Sequence, residues 1–262
     1  MIKKNMFFIS LYFISIFFLF IGCSSSGMNN NINESIEAKI VEPPITQKEF
    51  YDAFTLLNDK LTEEQKINSL NVQKELFETG PILSLYMDGD AQYIISWIDG
   101  GKILIFFKTE NSKIKPLYMN VAPIKAVKLL GECPEGGIRL VEVTSYGASA
   151  SYQRENVEVF AINGDNVTSV WDYDTMKAYS HPVEGKKLFE FVIETSSFRY
   201  SPWYQTKPGY DEKDIMRIIV NETKEVIHTS SGDLNKVVST NKTNSQKTFV
   251  WDNSQLKFIE KT

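Results

Sequence analysis

From residue 82 onward the chain repeats one local pattern, and this pattern is the strongest constraint on its fold. Short runs rich in Val, Ile, Tyr, Phe and Trp alternate with turns of Asp, Asn and Gly. Asp99-Gly100 and Asn163-Gly164 are strong hairpin signals, because these residue types tolerate the positive φ angles of a two-residue turn. Four segments read as a strand, a tight turn and a returning strand: residues 96–103, 160–167, 218–225 and 249–256. The pattern predicts a meander of antiparallel β-hairpins.

The preceding stretch has helical periodicity instead. Thr46 and Glu49 form a capping-box pattern. An apolar stripe at helical spacing follows: Phe50, Phe54, Leu57 and Leu61. A second box at residues 62–65 opens another helix, which Gly80-Pro81 ends. We therefore predict a mainly β fold with an N-terminal helical hairpin whose stripe packs on the sheet.

The arrangement of the hairpins is open at this level. The four hairpin segments weakly resemble the blades of β-propellers, although their spacing is irregular and they share no fixed signature. A partial propeller, a twisted open sheet and a sandwich all fit an antiparallel meander. Alternation of strands with helices is absent from the pattern, which disfavours doubly wound and TIM-barrel folds.

The first 26 residues have the layout of a targeting segment. Lys3 and Lys4 precede an apolar run from residue 6 to residue 21, and small residues follow it. The run is shorter than the about 20 apolar residues that a membrane span needs. Ile21-Gly22-Cys23 resembles the lipobox of bacterial lipoproteins. The resemblance implies cleavage before Cys23, a thioether to diacylglycerol on its sulfur, and acylation of the new amine by a fatty acid such as palmitate. The alternatives are an ordinary cleaved signal peptide and an uncleaved anchor.

These features divide the chain into three parts. We predict a signal peptide at residues 1–22, a lipidated flexible tether at residues 23–45 and a single soluble domain at residues 46–262. Within that domain, residues 46–80 are helical and residues 82–262 are β-rich. The tether begins with a Ser-, Asn- and Gly-rich stretch that has almost nothing to pack. The expected location is the bacterial cell envelope, with the domain outside the cytoplasm, either periplasmic or on the surface.

Composition narrows the partners. The apolar fraction of 42% is enough for a substantial core. The net charge of −5 becomes more negative by two when Lys3 and Lys4 are removed with the signal peptide. An acidic surface repels phosphates, so nucleic acid is not an expected partner. Two cysteines and two histidines give little basis for a disulfide or a zinc site, and we predict no cofactor.

The strongest candidate for ligand binding is the segment at residues 198–210. Its two prolines and one glycine predict a long loop after a strand at residues 188–194. The candidate ligand-binding residues are Arg199, Tyr200, Trp203, Tyr204 and Tyr210. Aromatic rings beside cationic donors suit sugars, peptides or anionic small molecules. The alternative is a loop that fills the edge of the core with its own rings.

Three further features of the sequence are weaker indications of a functional site. Asp88-Gly89-Asp90 can contribute to a calcium loop, but a third ligand is missing and a plain hairpin turn fits as well. Residues 145–152 predict a small-residue loop between strands, without a hydrolase elbow or a phosphate-loop ending. His181 precedes Pro182 in a predicted turn and His228 lies on a strand, and neither has a recognisable nucleophile partner.

The sequence therefore favours a non-enzymatic lipoprotein whose β-rich domain binds or scaffolds. Its predicted partners are the membrane, through the lipid on Cys23, and an envelope protein, a glycan or a host molecule. The runner-up is a lipid-anchored hydrolase that acts on cell-wall or extracellular polymer. A third reading, an inhibitor of a secreted enzyme, would form a stoichiometric complex.

Overall fold

The computed structural model describes most of the chain from residue 45 onward. The described residues are 45–63, 66, 81–87, 92–110, 113–132, 138–149, 151–186, 188–200, 217–230, 232–252 and 254–261. Helix α1 spans Gln47–Asn58. The strands are β1 (Ile82–Met87), β2 (Gln92–Ile98), β3 (Ile103–Glu110), β4 (Lys113–Val121), β5 (Ile124–Glu132), β6 (Arg139–Ala148), β7 (Tyr152–Asn163), β8 (Asn166–Pro182), β9 (Phe189–Tyr200), β10 (Arg217–Thr229), β11 (Val237–Asp252) and β12 (Lys257–Glu260).

Helix α1 begins at the predicted capping box. The backbone N–H of Thr46 donates to Glu49 Oε2 at 2.8 Å, and the backbone N–H of Glu49 donates to Thr46 Oγ1 at 3.2 Å. The stripe residues Phe50, Phe54 and Leu57 are buried, so the predicted packing of this helix is confirmed. The second predicted helix has helical backbone at residues 63 and 66, and residues 67–80 lie outside the described part of the chain.

The strands form two open antiparallel sheets in strict chain order. A small sheet has the order β1-β2-β3-β4, and a large sheet runs from β5 to β12, each strand beside its sequence neighbours. Gly100 and Gly164 adopt φ angles of +67° and +59° in the turns that were predicted from their sequence. The predicted antiparallel meander is therefore confirmed.

The small sheet is covered on both faces. Ile94, Ile98, Ile103 and Ile105 pack with the buried face of α1. The alternate residues of the same strands, among them Ile95, Leu104 and Phe106, pack against the large sheet. Residues from Ile103 to Phe107 are consequently all at most 1% exposed. The sequence of a strand that is buried on both faces is an unbroken run of apolar residues, without the usual alternation.

Polar contacts join the two sheets at one end. The hydroxyl of Tyr93 donates to the carbonyl of Gly164 at 2.9 Å. Lys108 and Lys115, on the small sheet, donate to Asp165 at 2.9 and 2.5 Å. Hydrogen bonds from Lys115 and Lys108 lower the pKa of Asp165 to about 2. The turn between β7 and β8 is thus held against strands β2, β3 and β4.

Two bulges shape strand β8. Val170 and Thr175 are extra residues in its register with β7, and such residues bend a strand and increase its twist. Strand β9 pairs only with the second half of β8, from Met176 to Pro182. The first half of β8 therefore pairs with β7 alone and forms one layer with β5–β7. The second half pairs with both β7 and β9 and continues the sheet into a second layer, β9–β12.

The large sheet folds back along β8 and encloses a third core. Trp171 of β8 stacks on Tyr173 at 5.5 Å and meets Phe198 and Phe249 edge-on at 5.6 and 5.7 Å. Residues from β5–β7 and from β10–β12 join the same cluster. We call the space between these two layers the crease, bounded by Trp171 and Tyr173 on one side and by Phe198 and Phe249 on the other.

Three local predictions are wrong because strands run further than the composition indicated. The hairpin predicted at residues 218–225 is a continuous part of β10, paired through Asn221 and Glu222 with both β9 and β11. Residues 145–152 are mostly strand, since β6 reaches Ala148 and β7 starts at Tyr152. His181 lies in β8, and the turn comes later at residues 184–185.

We expect truncation of Trp171 to weaken the crease. Trp171→Ala should lower the free energy of unfolding by about 3–5 kcal/mol, because it leaves a cavity between the two layers. The measurement is urea denaturation followed by far-ultraviolet circular dichroism.

Trp171→Phe is the matched control. The indole Nε1 of Trp171 is buried and has no hydrogen-bond partner among the described residues, so the loss of its N–H should cost little. An equal loss in both variants would show that ring packing is not the source of the stability.

Candidate functional site

A polar groove opens at the end of the crease. Its volume is about 520 Å³, and its walls come from strands β7 to β11. Among the described residues, every residue that lines the groove has a charged side chain or a hydroxyl group, and Tyr173 adds an aromatic ring. Because the groove lies on the face of the sheet, side chains rather than ladder amides are available to a ligand.

One wall of the groove is a single cross-strand row. Arg154 lies opposite Lys177, and Lys177 lies opposite Glu194. Glu194 in turn lies opposite Lys224, which donates to it at 2.9 Å, and Lys224 lies opposite Thr243. The hydrogen bond to Glu194 raises the pKa of Lys224. We call this set the charged row.

The neighbouring row centres on Glu222. Its carboxylate accepts hydrogen bonds from Ser245 at 2.6 Å, from Lys247 at 3.0 Å and from the hydroxyl of Tyr173. Burial acts to raise the pKa of Glu222, but these three hydrogen bonds outweigh it and hold the pKa below its ordinary value. Burial, together with the bond to Glu222, raises the pKa of Tyr173 to about 12.

A second carboxylate anchors the other end of the groove. Asp174 accepts from Lys177 at 2.5 Å, from the guanidinium of Arg154 and from Asn156 at 3.3 Å. Burial acts to raise the pKa of Asp174, but these donors keep it below its ordinary value. The same bonds raise the pKa of Arg154 and of Lys177. Asp174 therefore fixes two cations at once.

The described residues that line the groove include equal numbers of positive and negative side chains. Its cations are Arg154, Lys177, Lys224 and Lys247. Its carboxylates are Asp172, Asp174, Glu194 and Glu222. Each cation has a carboxylate partner within the groove. The groove thus presents strong donors and acceptors without a net charge.

The aromatic ring of the groove has three close neighbours. Trp171 stacks on Tyr173 with an interplanar angle of 6°. The ammonium of Lys247 lies over the ring at 5.5 Å from its centroid, and Phe249 meets the ring edge-on at 5.6 Å. These contacts reduce the ring surface on which a ligand could stack.

The structure describes two of the five candidate ligand-binding residues predicted from sequence. Trp203, Tyr204 and Tyr210 lie outside the described residues, as does Cys23, the predicted lipidation site. Arg199 and Tyr200 belong to β9, so the loop predicted from residue 198 is wrong up to residue 200. Pairing with β10 and packing of Phe198 and Tyr200 on the core extend the strand.

Arg199 and Tyr200 also point to opposite faces of β9. Arg199 is exposed, whereas Tyr200 packs on the core of the crease and donates to Glu142 Oε2 at 2.7 Å. Burial and the nearby Glu142 carboxylate raise the pKa of Tyr200 well above its ordinary value. These two residues do not share one binding surface.

The two histidines meet at a carboxylate that the sequence did not single out. His181 Nε2 lies 3.5 Å from Glu190 Oε1, and His228 Nε2 lies 2.9 Å from Glu190 Oε2. His228 Nδ1 also bonds Ser239 Oγ at 3.1 Å. Among the described residues, no group of three or more His, Cys, Asp or Glu side chains could hold a metal ion. Asp88-Gly89-Asp90 lies outside that part of the chain.

Glu158 differs from the carboxylates of the groove. Burial raises its pKa, although Ser169 and Asn120 donate hydrogen bonds to it. It lies opposite Asp172 in the register of β7 with β8. This pair is the described feature that best fits an acid for polymer hydrolysis, but Glu158 does not line the groove.

The Glu222 cluster predicts a pH dependence of stability. Since the pKa of Glu222 is lowered by folding, its contribution is complete above its unfolded value near 4.5 and is lost as the pH falls through its folded value. We expect wild type to be more stable than Glu222→Gln at pH 7 and the difference to shrink toward pH 3. Urea denaturation at several pH values measures it. A difference that stays constant over this range would contradict the assignment.

Comparisons with known proteins identified no relative from which a function could be inferred. No family model, no curated protein and no solved structure matches this chain. The function therefore has to be argued from the groove and from the sequence itself.

Proposed function

We propose that this protein is a membrane-anchored lipoprotein of the bacterial envelope whose β-rich domain binds a ligand without catalysis. The observation that carries the binding part is the groove at the end of the crease. Its side chains are ordered by ion pairs before any ligand arrives, and such preorganisation reduces the entropy that binding must overcome.

The anchoring part rests on the sequence. Ile21-Gly22-Cys23 follows a basic start and an apolar run. A diacylglycerol on Cys23 together with an acylated amine would supply the two lipid signals that stable anchoring needs. In the described part of the chain, no helix has both the length and the apolar character to cross a bilayer.

The carboxylates of the groove favour binding over hydrolysis. A general acid that works near neutral pH needs a raised pKa. The pKa values of Asp174 and Glu222 are lowered instead. Glu194 is committed to Lys224. Asp174 and Glu222 therefore stay ionised near neutral pH and serve as hydrogen-bond acceptors.

The runner-up function, a lipid-anchored hydrolase, has one observation in its favour. The raised pKa of Glu158 beside Asp172 is the environment that a general acid uses. If the pair is catalytic, Glu158→Gln should abolish release of product from cell-wall or extracellular polymer. We expect wild type and Glu158→Gln alike to release none, measured as new reducing ends over a long incubation. If the polymer is cleaved by wild type but not by Glu158→Gln, the function is hydrolysis and not binding alone.

The anchor is tested with the two cysteines of the chain. Cys23→Ser should abolish incorporation of an alkyne-tagged fatty acid and move the protein out of the membrane fraction, because the thioether cannot form. Cys133→Ser is the matched control and should leave labelling and fractionation unchanged. Labelling of the Cys23→Ser variant, or membrane retention without any label, would contradict lipid anchoring at this residue.

A further inference from the structure

We propose that the groove binds an uncharged, polyhydroxylated ligand, an oligosaccharide that lies across strands β7 to β11. The inference rests on the proposed function, in that it takes the groove to be a binding site. It adds the chemical class of the ligand and the side chains that recognise it.

The balance of charge argues against an ionic ligand. An anion would have to compete with Asp174, Glu194 and Glu222 for cations that already hold these carboxylates. A cation would face the same competition from the lysines and the arginine. Since the groove has equal numbers of both signs, neither gains a net attraction. A neutral ligand leaves every ion pair in place.

Each ion pair keeps unused hydrogen-bonding capacity. An ammonium has three donors, and a carboxylate can accept about four hydrogen bonds. The pair of Lys224 with Glu194 uses one of each at 2.9 Å, and both side chains remain partly exposed, at 47% and 35%. A hydroxyl group can accept from the lysine and donate to the glutamate. Two neighbouring hydroxyls of a sugar ring can therefore bridge one ion pair.

The hydroxyl-bearing residues extend this surface beside the ion pairs. Ser196, Thr243 and Ser245 line the groove near Glu194 and Glu222. Such groups donate and accept with free rotation, as the hydroxyls of a sugar do. An apolar ligand would leave these groups and the ion pairs without solvent, at a cost of about 1–3 kcal/mol for each unsatisfied group.

The dimensions fit a short chain of sugar units. Neighbouring strands lie about 4.8 Å apart, so the charged row from Arg154 on β7 to Thr243 on β11 spans about 19 Å. The row of Glu222 runs parallel to it, two residues away along each strand. Because Tyr173 already contacts Trp171, Lys247 and Phe249 through its ring, recognition in the groove depends on hydrogen bonds more than on ring stacking.

The test uses purified full-length protein in detergent and isothermal titration calorimetry. The probes are neutral tetrasaccharides of glucose, mannose, galactose and N-acetylglucosamine, with a sulfated tetrasaccharide as the anionic comparison. We expect at least one neutral probe to bind, with a Kd that changes little between about 50 mM and about 500 mM salt, because no net charge is involved. Preference for the sulfated probe with steep salt dependence would overturn the neutral class.

Variants locate the site. Glu194→Gln should weaken binding by about tenfold or more, since it replaces one acceptor oxygen of the charged row with an NH2 donor and removes the negative charge that holds Lys224. Glu225→Gln is the matched control, because Glu225 is the next residue after Lys224 and faces the other side of β10. It carries the same change of charge and should bind as wild type does. Unfolding curves must show that both variants are folded, and Lys224→Gln is the second groove variant if Glu194→Gln is not.

The outcomes separate this inference from the proposed function. The proposed oligosaccharide site would be contradicted by equal binding to wild type and Glu194→Gln, or by no binding of any neutral probe at millimolar concentration. The binding function would then stand only if an envelope protein is captured stoichiometrically by wild type. Cleavage of a bound tetrasaccharide would keep the groove as a sugar site and overturn the non-catalytic function.

Discussion

The bend of strand β8 is the constraint on which the rest of the structure depends. Val170 and Thr175 are inserted into its ladder with β7, and β9 can join only the second half of the strand. Without this bend, eight strands in chain order would form one extended sheet with an uncovered face. With it, the sheet covers its own apolar residues, so that Trp171 of the first layer meets Phe249 of the second. The crease that results is both a core and, at its open end, a groove. The core of the crease and the groove thus come from one distortion.

The sequence predicts those elements whose cause is local. The capping box at Thr46 and the glycine turns at Gly100 and Gly164 each depend on a few adjacent residues, and the structure has them where they were predicted. Strand ends depend on distant partners instead. Asn221-Glu222 resembles a turn in composition, yet both residues are held extended by β9 and β11. The unbroken apolar run from Ile103 to Phe107 carried a signal for a strand buried on two faces, which the alternation rule does not detect.

The groove was harder to predict from the sequence than the fold. On any one strand its residues form an ordinary alternation of charged and small side chains, as a solvated face does. Lys177, Glu194 and Lys224 become a row only through the register of three strands. His181 and His228 likewise meet at Glu190 through pairing that no spacing in the sequence reveals. The segment after Tyr200 is recognisable in the sequence because it is unusually rich in aromatic residues. The polar groove instead consists of common residues, and only the strand register brings them together.

The strict chain order of the strands has a consequence for how the molecule is assembled. Within each sheet, every strand pairs with the strand that precedes it in the chain, so loop closure is short and each sheet can form strand by strand. The crease is the exception. Its contacts join Trp171 to Phe249 and Tyr200 to Glu142, across long separations in sequence. The layers can therefore form early, but the groove forms only when β10 and β11 have joined the sheet, so the polar groove is among the later parts of the domain to form.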